Sequence, residues 1–253
     1  PTGTIRMTGN TPITFDRGQH VEGSGHRGTR IVLTSNTNAH GFLFTGSESY
    51  VGNMSMYKLD EFWRPTAGAG FKFTAQFWIA ENLRTNGLYT ALEATAIGKL
   101  SKFDFNDSAY SAVWYHDHAD SYANQGVASA VSSFINLSGI SGTFQSGEKV
   151  TWSGLGQAVT TYVGADPGRH KMVLGMQNPA VGTVITGQTS GATATVSGVT
   201  HGHAGGAVRL TGWGETMLFT DIDFVGGAYT AYIGGDVSKP KLLNMCFQQC
   251  LFD

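Results

Sequence analysis

A two-part phrase that returns along the chain constrains the fold more than any other feature of the sequence. Its first half reads Gly or Ala, apolar, any residue, apolar, Thr, then Gly or Ala. Its second half is a short stretch in which polar and apolar residues alternate. Copies of the first half lie at 41–46, 70–75 and 207–212, and copies of the second at 53–56, 102–105, 221–224 and 244–247.

The spacing and the alternation of this phrase predict an all-β repeat fold. Successive copies are about 17 to 29 residues apart, the range of stacked solenoid repeats. Alternation with a period of two predicts a strand with one buried face. Because one pair of strands cannot bury its own apolar face, the copies must stack. We therefore expect a parallel β-solenoid, with a helix at 91–100 or 123–134 as the weaker alternative for those alanine-containing stretches.

The composition agrees with a solenoid and argues against several partners. Glycine supplies 35 of 253 residues, charged residues are 13% and hydrophobic residues 41%, which is enough for a core. The net charge is −2 and no run of Lys or Arg occurs, so we expect neither nucleic acid nor an anionic membrane as a partner. No apolar stretch approaches the roughly 18 residues of a membrane-spanning helix.

The two cysteines, Cys246 and Cys250, are predicted to be free thiols. On a strand they would lie on one face about 13 Å apart, which is too far for a disulfide. Paired cysteines or a metal site are the alternatives. Free thiols indicate synthesis in a reducing compartment.

The first 34 residues carry a phrase with a known counterpart. Pro1-Thr2-Gly3-Thr4-Ile5 is followed by Val21-Glu22-Gly23-Ser24-Gly25 and by Gly28-Thr29-Arg30-Ile31. This succession resembles the first turns of pectate-lyase-like right-handed parallel β-helices, which bacteriophage tailspikes and tail fibres use widely. The resemblance implies a virion surface protein made in the bacterial cytoplasm. It also implies a homotrimer that contacts host surface polysaccharide and other virion proteins.

One unusually long interval between strand starts predicts an inserted module. Strand starts at 42, 71, 88 and 112 are followed by one at 207, which is 95 residues later. One normal repeat leaves about 60 to 70 residues unexplained. They contain Phe144–Val150 and Gly182–Val196, which resemble a short module of phage virion proteins, F-x-x-G-E-x-V followed by G-x-T-S-G-A-T-A. We predict a β-helix over 1–142 and 205–253, interrupted by a small β module over 143–204.

Three carboxylates are the candidates for catalysis. Asp221 and Asp223 alternate on one predicted strand, so both face the same way with carbons about 7 Å apart. Asp104 takes the equivalent place in another copy of the phrase. Glycoside hydrolases use two carboxylates about 5–10 Å apart. The alternative is that all three are solvent-facing positions of strands whose other face is buried.

The candidates for glycan binding cluster between Trp114 and Tyr122. Sugars stack on aromatic faces while their hydroxyls seek polar partners, and neighbours on a strand face opposite ways. One of Trp114 and Tyr115 therefore faces outward. His116 and His118 could instead bind a divalent cation with Asp120, but we assign no metal. The glycan-binding set is Trp114, Tyr115, His116, His118 and Tyr122.

Three function classes remain open. The favoured one is a non-catalytic or structural virion protein that binds host glycan. The second is a tailspike depolymerase, either hydrolase or lyase, that cleaves capsular or O-antigen polysaccharide. The third is a secreted bacterial protein similar to polysaccharide lyases. No G-x-S-x-G, P-loop, dinucleotide fingerprint or C-x-x-C motif occurs, so we assign no cofactor.

Overall fold

A computed structural model describes most of the chain. The described residues are 2–9, 11–33, 40–58, 67–108, 110–118, 120–130, 133–145, 148–153, 157–166, 169–174, 179–201, 206–226, 229–234 and 244–253. Their regular secondary structure is all β-strand, including 91–94, 98–100 and 123–130, where a helix was the alternative. None of these residues belongs to a helix long and apolar enough to cross a bilayer.

The chain forms two compact units. Unit 1 comprises Pro1–Asp60, Arg64–Ala130 and Gly205–Asp253, and unit 2 comprises Glu61–Trp63 and Val131–Ala204. The strands in chain order are β1 (Gly3–Met7), β2 (Ile13–Phe15), β3 (His20–Glu22), β4 (Thr29–Leu33), β5 (Phe42–Phe44), β6 (Tyr50–Lys58), β7 (Ala69–Phe73), β8 (Trp78–Asn86), β9 (Thr90–Ala94), β10 (Gly98–Ser108), β11 (Ser111–His118), β12 (Ser121–Ala130), β13 (Ser133–Ser141), β14 (Lys149–Trp152), β15 (Gln157–Asp166), β16 (Arg169–Leu174), β17 (Val184–Gly187), β18 (Thr193–His201), β19 (Gly206–Gly214), β20 (Met217–Gly226), β21 (Tyr229–Gly234), β22 (Met245–Gln248) and β23 (Leu251–Phe252).

Unit 1 contains two large parallel sheets. Sheet I has the order β1-β4-β6-β8-β10-β12-β20-β22, with β3 paired to β6 and β23 to β20. Sheet II has the order β2-β5-β7-β9-β11-β19-β21. From β5 to β12 and again from β19 to β22, successive strands alternate between the two sheets. This architecture is compatible with the predicted parallel β-helix.

The core of unit 1 consists of stacked side chains from equivalent positions of the repeat. The register pairs Phe15 with Phe44 and Phe44 with Phe73. Their rings stack with centroids 4.8 and 4.6 Å apart, and Trp78 continues the stack 4.5 Å from Phe73. Phe44 and Phe73 are fully buried. The apolar positions of the phrase therefore form the interior, as period-two alternation requires.

A threonine at the end of a sheet II strand bonds the neighbouring strand in two successive repeats. The Thr74 hydroxyl donates to the Phe44 carbonyl at 3.2 Å, and the Thr95 hydroxyl donates to the Phe73 carbonyl at 3.2 Å. The backbone N–H of each threonine donates to the same carbonyl as its hydroxyl. Threonine recurs because its hydroxyl satisfies a second lone pair of a carbonyl on the neighbouring strand.

A column of left-handed residues bends the long strands of sheet I. The register brings six residues of positive φ into line across successive strands, namely Asn53, Asn82, Lys102, Gln125, Asp221 and Gln249, with φ between 52° and 55°. Asn82 Nδ2 donates to Asn53 Oδ1 at 2.6 Å, and Asn53 Nδ2 donates to Glu22 Oε1 at 2.8 Å. Asparagine tolerates this backbone region better than most residues. The phrase copy at 244–247 is out of step with the others, because Met245 pairs with Met217 rather than with a residue of 221–224.

The length of unit 2 accounts for the gap in the repeat. In sheet II, Phe71 pairs with Leu92 and Leu92 with Val113, so each step is 21 residues. Val113 then pairs with Val208, which is 95 residues later. The segment 131–204 supplies 74 of those residues and leaves 21. Unit 2 thus begins 12 residues earlier than the predicted module at 143, and it includes β13.

The six strands of unit 2 close into an antiparallel barrel of order β13-β16-β15-β14-β17-β18. Strand β13 pairs with both β16 and β18, which closes the sheet. Among the side chains that the structure describes there, the buried core is aliphatic apart from Phe144. The fully or nearly fully buried members are Ile135, Leu137, Phe144, Val150, Ile185, Ala192, Ala194 and Val196.

One carboxylate in unit 2 joins the two halves of the motif F-x-x-G-E-x-V followed by G-x-T-S-G-A-T-A. Glu148 Oε1 accepts from the N–H of Gln145 at 2.7 Å and the hydroxyl of Ser190 at 2.8 Å. Glu148 Oε2 accepts from the N–H groups of Thr189 and Ser190 at 3.0 and 2.9 Å. A Cβ on Gly187 would lie 2.6 Å from the Glu148 carboxylate oxygens. The glutamate, the serine and the glycine of the motif therefore form one packed arrangement.

We predict that unit 1 folds without unit 2. Replacing 131–204 by a short Gly-Ser link restores the 21-residue step between Val113 and Val208, so the parallel ladder can continue from β11 to β19. The deletion variant should keep a β-rich circular dichroism spectrum and a cooperative thermal transition. An unfolded spectrum would contradict the reading of 131–204 as an insertion. Removing Tyr50–Lys58 (β6) instead, which takes one strand out of sheet I and none out of sheet II and so breaks the alternation, is the control that should unfold.

We also predict that Glu148 makes the stability of unit 2 depend on pH. Burial alone would raise the pKa of the Glu148 carboxyl, but its hydrogen bonds from Ser190, Gln145 and Thr189 hold the pKa below its usual 4.5. Its contribution is therefore present above about pH 4.5 and is lost as the pH falls through the lower folded-state pKa.

The test is the variant Glu148→Gln. It should lose roughly 2–3 kcal/mol of stability near neutral pH, measured by urea unfolding of the separate unit 2 transition. Its stability should also lose the acid-side slope of the wild type. A Glu148→Gln protein as stable as the wild type at pH 7 would show that the carboxylate is not a structural link.

Candidate functional site

The described part of unit 1 has a pocket on the face of sheet II that points away from the core. It has a volume of about 370 Å³. Its lining residues come from strands β11, β19 and β21 and are Trp114, His116, Asp117, Arg209, Thr211, Gly212, Tyr232 and Gly234. We call this the aromatic pocket.

The register of sheet II aligns the walls of the aromatic pocket. Trp114 pairs with Arg209, and Arg209 pairs with Tyr232. Two positions further along, His116 pairs with Thr211 and Thr211 with Gly234. Parallel pairing places successive strands about 4.8 Å apart, so side chains that are distant in sequence form one continuous lining.

Arg209 lies among three aromatic rings. Its guanidinium carbon Cζ is 4.3 Å from the ring centre of Tyr232, 4.9 Å from that of Tyr110 and 5.7 Å from that of Trp114. Cation–π attraction at these distances stabilises the charge while keeping it at the surface. Tyr89 stacks on Tyr110 at 4.9 Å with an interplanar angle of 3° and extends the aromatic surface beyond the pocket.

A hydrogen bond between two strands fixes the tryptophan. Trp114 Nε1 donates to Thr211 Oγ1 at 2.9 Å. Thr211 is the threonine of its phrase copy, yet its hydroxyl accepts from an indole, whereas those of Thr74 and Thr95 donate to carbonyls. The repeat therefore departs from its structural pattern at the pocket.

A buried carboxylate on the neighbouring strand β9 holds one of the lining residues, His116. Glu93 is 6% exposed. It accepts from His116 Nε2 at 3.0 Å and from Lys72 Nζ at 2.8 Å. Burial alone would raise the pKa of Glu93, but the hydrogen bonds from His116 and Lys72 hold the pKa below its usual value. The His116 ring in turn packs against Trp114, with centroids 4.9 Å apart.

Two glycines leave the space that makes the pocket. A Cβ on Gly234 would lie 2.5 Å from the ring of Tyr232, so only glycine lets that ring fold over the strand. Gly212 has φ +76°, and a Cβ there would lie 2.6 Å from Asp117 Oδ1. Larger residues at these positions would push the tyrosine ring or the carboxylate out of place.

The structure places the predicted glycan-binding residues at separate locations, in the aromatic pocket, in the core and on sheet I. Trp114 and His116 line the aromatic pocket. Tyr115 is fully buried in the core and packs against Trp78, so its inclusion as a surface contact was wrong. Trp114 is the outward member of that pair. Tyr122 is 39% exposed, but it lies on β12 of sheet I, away from the pocket strands. The side chain of His118 lies outside the described residues.

The candidate catalytic carboxylates lie on sheet I. Asp221 and Asp223 are both exposed, but the strand bends at Asp221, which has φ 54°. Asp104 pairs with Val127 and Val127 with Asp223. Asp104 and Asp223 are therefore two strands apart, about 9–10 Å. Asp104 also accepts from Arg84 Nε at 3.1 Å and from the Asn106 side chain.

No metal site is found among the described residues. They contain no group of three or more His, Cys, Asp or Glu side chains that could hold an ion. Ala119, within the His116–Asp120 cluster, is outside the described residues. Cys246 is exposed, Cys250 is half-buried, and both are free thiols.

Sequence reasoning missed Arg209, Thr211 and Tyr232. The signal was present at the third position of the phrase's first half, where any residue is allowed. This unrestricted position is Lys72 in one copy and Arg209 in another. Because the flanking apolar residues face the core, that position faces outward in every copy. Aligning the unrestricted positions would have placed Lys72 and Arg209 in one outward row. Tyr232 belongs to a strand that lacks the phrase, so only the sheet register reveals it.

We predict that Thr211→Val changes the environment of Trp114. The variant should lose about 1 kcal/mol of stability with the indole hydrogen bond. It should also shift the tryptophan emission spectrum, because the ring is no longer fixed. Thr95→Val is the matched control, since it removes an equivalent hydroxyl that bonds the Phe73 carbonyl and leaves Trp114 untouched. Equal spectral shifts in both variants would contradict the assignment.

Comparison of the chain with protein-family models, with curated proteins and with solved structures found no significant match. The functional argument therefore rests on the aromatic pocket and on the resemblance carried by residues 1–34 and 143–204.

Proposed function

We propose that this protein is a bacteriophage virion surface protein of the tailspike or tail-fibre kind, which binds a host cell-surface glycan in the aromatic pocket without cleaving it. The observation that carries the proposal is the row Trp114–Arg209–Tyr232, in which two aromatic rings flank a cation. The virion context comes from the sequence resemblance alone.

The chemistry of the aromatic pocket suits a sugar. The apolar face of a pyranose ring packs on an aromatic ring, while its hydroxyls need donors and acceptors close by. Trp114 and Tyr232 supply the rings, and Thr211, His116 and Asp117 supply polar groups. Fixed side chains lose little entropy on binding, and the hydrogen bond between Trp114 and Thr211 supplies that fixation.

The proposal includes a right-handed parallel β-helix for unit 1. The alternation of strands between two parallel sheets supports it, as do the column of left-handed residues and the two successive 21-residue steps from Phe71 to Val113. Each turn would contribute one strand to each sheet. Assembly as a homotrimer and attachment to other virion proteins rest on the resemblance.

We do not carry the depolymerase alternative forward. Of its three carboxylates, Asp104 is engaged by Arg84, while Asp221 and Asp223 are exposed on sheet I. Asp104 and Asp223 are separated by a whole strand, with Val127 between them. The proposal therefore rests on the aromatic pocket rather than on these carboxylates.

We predict that Trp114→Ala weakens glycan binding at least tenfold, about 1.4 kcal/mol, because the variant removes the stacking platform. Binding is measured against an array of purified bacterial surface polysaccharides and then by calorimetry on the glycan that the array selects. Tyr122→Ala is the matched control, since it removes an exposed ring from sheet I.

Three results bear on this prediction. Loss with Trp114→Ala alone supports the aromatic pocket. Loss with Tyr122→Ala alone would put the glycan on sheet I and refute the assigned site. No binding of wild-type protein to any polysaccharide on the array would refute the proposed function. Circular dichroism of each variant separates lost binding from lost folding.

A further inference from the structure

We propose that His116 and Thr211 bind one sugar hydroxyl between them, which donates to His116 and accepts from Thr211. The aromatic pocket would thus take a sugar whose hydroxyl at this position is unsubstituted and reject its deoxy and ether forms. Glu93 and Trp114 fix the directions of the two hydrogen bonds. The inference rests on the proposed function, because it names the group of the glycan that the same pocket recognises.

The partner of His116 determines which of its ring nitrogens can accept. His116 Nε2 lies 3.0 Å from Glu93 Oε1. Burial alone would raise the pKa of Glu93, but hydrogen bonds from His116 and Lys72 hold the pKa below its usual value, so the carboxyl is ionised near neutral pH. An ionised carboxylate can only accept. Nε2 therefore carries the hydrogen of the neutral imidazole, and Nδ1 keeps a lone pair as a fixed acceptor.

The partner of Thr211 fixes the opposite direction. Trp114 Nε1 donates to Thr211 Oγ1 at 2.9 Å. An indole N–H can only donate, so this bond uses a lone pair of the threonine oxygen and leaves its O–H to donate. Among the described residues, neither the Thr211 nor the His116 side chain makes a further hydrogen bond. The pocket lining therefore keeps one donor and one acceptor for a ligand.

The register of sheet II sets the separation of this donor and acceptor. His116 and Thr211 are paired residues of neighbouring parallel strands, which lie about 4.8 Å apart. Two hydrogen bonds of about 2.8 Å that meet at one tetrahedral oxygen span roughly 4.6 Å. Both side chains are half-buried and line the pocket. A single hydroxyl is therefore the right size to bridge them.

A hydroxyl completes a chain in which every hydrogen bond points the same way. The chain runs from the Trp114 N–H through Thr211 and the sugar hydroxyl to His116 and Glu93. Hydrogen bonds in such a chain polarise and strengthen one another. An ether oxygen accepts but cannot donate, and a deoxy carbon does neither. Each would leave a polar group of the pocket unpaired, so we expect at least tenfold weaker binding of these forms.

A second proton on His116 would reverse its role in the chain. The titratable or charged side chains that line the pocket with it, or that bond or touch the lining, are Glu93, Lys72, Asp117, Arg209, Tyr110 and Tyr232. In the imidazolium both ring nitrogens donate. Two donors then meet the sugar oxygen, whose own hydrogen loses its acceptor, whereas an ether oxygen accepts from either. The preference for the hydroxyl should therefore shrink between about pH 8 and pH 5, where histidines change charge.

The experiment compares small probes on the full chain. The probes are the methyl glycosides of glucose, galactose and mannose, each with its single deoxy and single O-methyl derivatives. Titrations at about pH 8 and about pH 5 follow the NMR signals of the His116 ring and the Trp114 indole. At the higher pH, the deoxy and O-methyl forms altered at one particular carbon should both bind at least tenfold more weakly than the parent. At the lower pH the O-methyl penalty should be smaller.

Variants of the donor and of the positioning carboxylate test the chain. Thr211→Ser keeps the hydroxyl and should keep the preference for the parent sugar, whereas Thr211→Val should reduce it. Glu93→Gln, whose amide both donates and accepts, should let the imidazole hydrogen move between the two ring nitrogens, which nitrogen-15 NMR of the free protein detects. Glu81→Gln is the matched control, because it removes a carboxylate that bonds Lys102 at 3.0 Å on sheet I.

A variant of the acceptor has a control of the same construction. His116→Phe keeps a ring beside Trp114, and it should bind the parent sugar no more tightly than the deoxy form at either pH. His20→Phe should leave the preference and its pH dependence unchanged. His20 lies 3.2 Å from Glu22 and packs against the Tyr50 ring on sheet I, so it resembles His116 outside the pocket.

The outcomes separate this inference from the proposed function. Free wild-type protein with the imidazole hydrogen on Nδ1 would overturn the role of Glu93. Equal binding of parent, deoxy and O-methyl forms at every ring carbon would overturn the bridging hydroxyl. An array polysaccharide that binds while no methyl glycoside shifts the His116 and Trp114 signals would do the same, and glycan binding would stand. No binding of any glycoside or array polysaccharide would refute the proposed function, and this inference with it.

Discussion

The parallel register that stacks equivalent residues is the constraint on which unit 1 depends. In parallel strands every repeat position lies directly over its counterpart about 4.8 Å away. A residue type that suits the position is therefore favoured in every repeat. Phe15, Phe44 and Phe73 stack inside for this reason, and Asn53 and Asn82 stack at the bend. The same register collects the pocket residues into rows.

Features that recur in every repeat could be predicted from the sequence, whereas features found in a single repeat could not. The all-β fold, the parallel sheets and the inward apolar positions follow from alternation and spacing, because each position of the repeat occurs in several copies of the phrase. The sequence could not tell whether Tyr115 or Trp114 is the buried residue, since alternation requires one of them to face inward without indicating which. The bend at Asp221 was also hidden, because a left-handed residue leaves no mark on polar and apolar alternation.

Long-range pairing limited the prediction of the pocket. Nothing local in the sequence relates Trp114 to Arg209, which become neighbours only when strands β11 and β19 pair across 95 residues. The motif of unit 2 was recognisable for the opposite reason. Glu148, Gly187 and Ser190 depend on one another through a single carboxylate, so they occur together as a pattern.

The closure of unit 2 bears on how the chain can fold at all. Strands β13 and β18 pair with each other from Ser133 to His201, so the first and last strands of the barrel lie side by side. A barrel that folds first shortens the effective loop between β11 and β19 from 95 residues to roughly the 21 of an ordinary repeat. Loop-closure entropy then favours pairing by about 1.3 kcal/mol relative to an unfolded segment. On the ribosome, β19 emerges only after the whole of unit 2, so this order of events is also the order of synthesis.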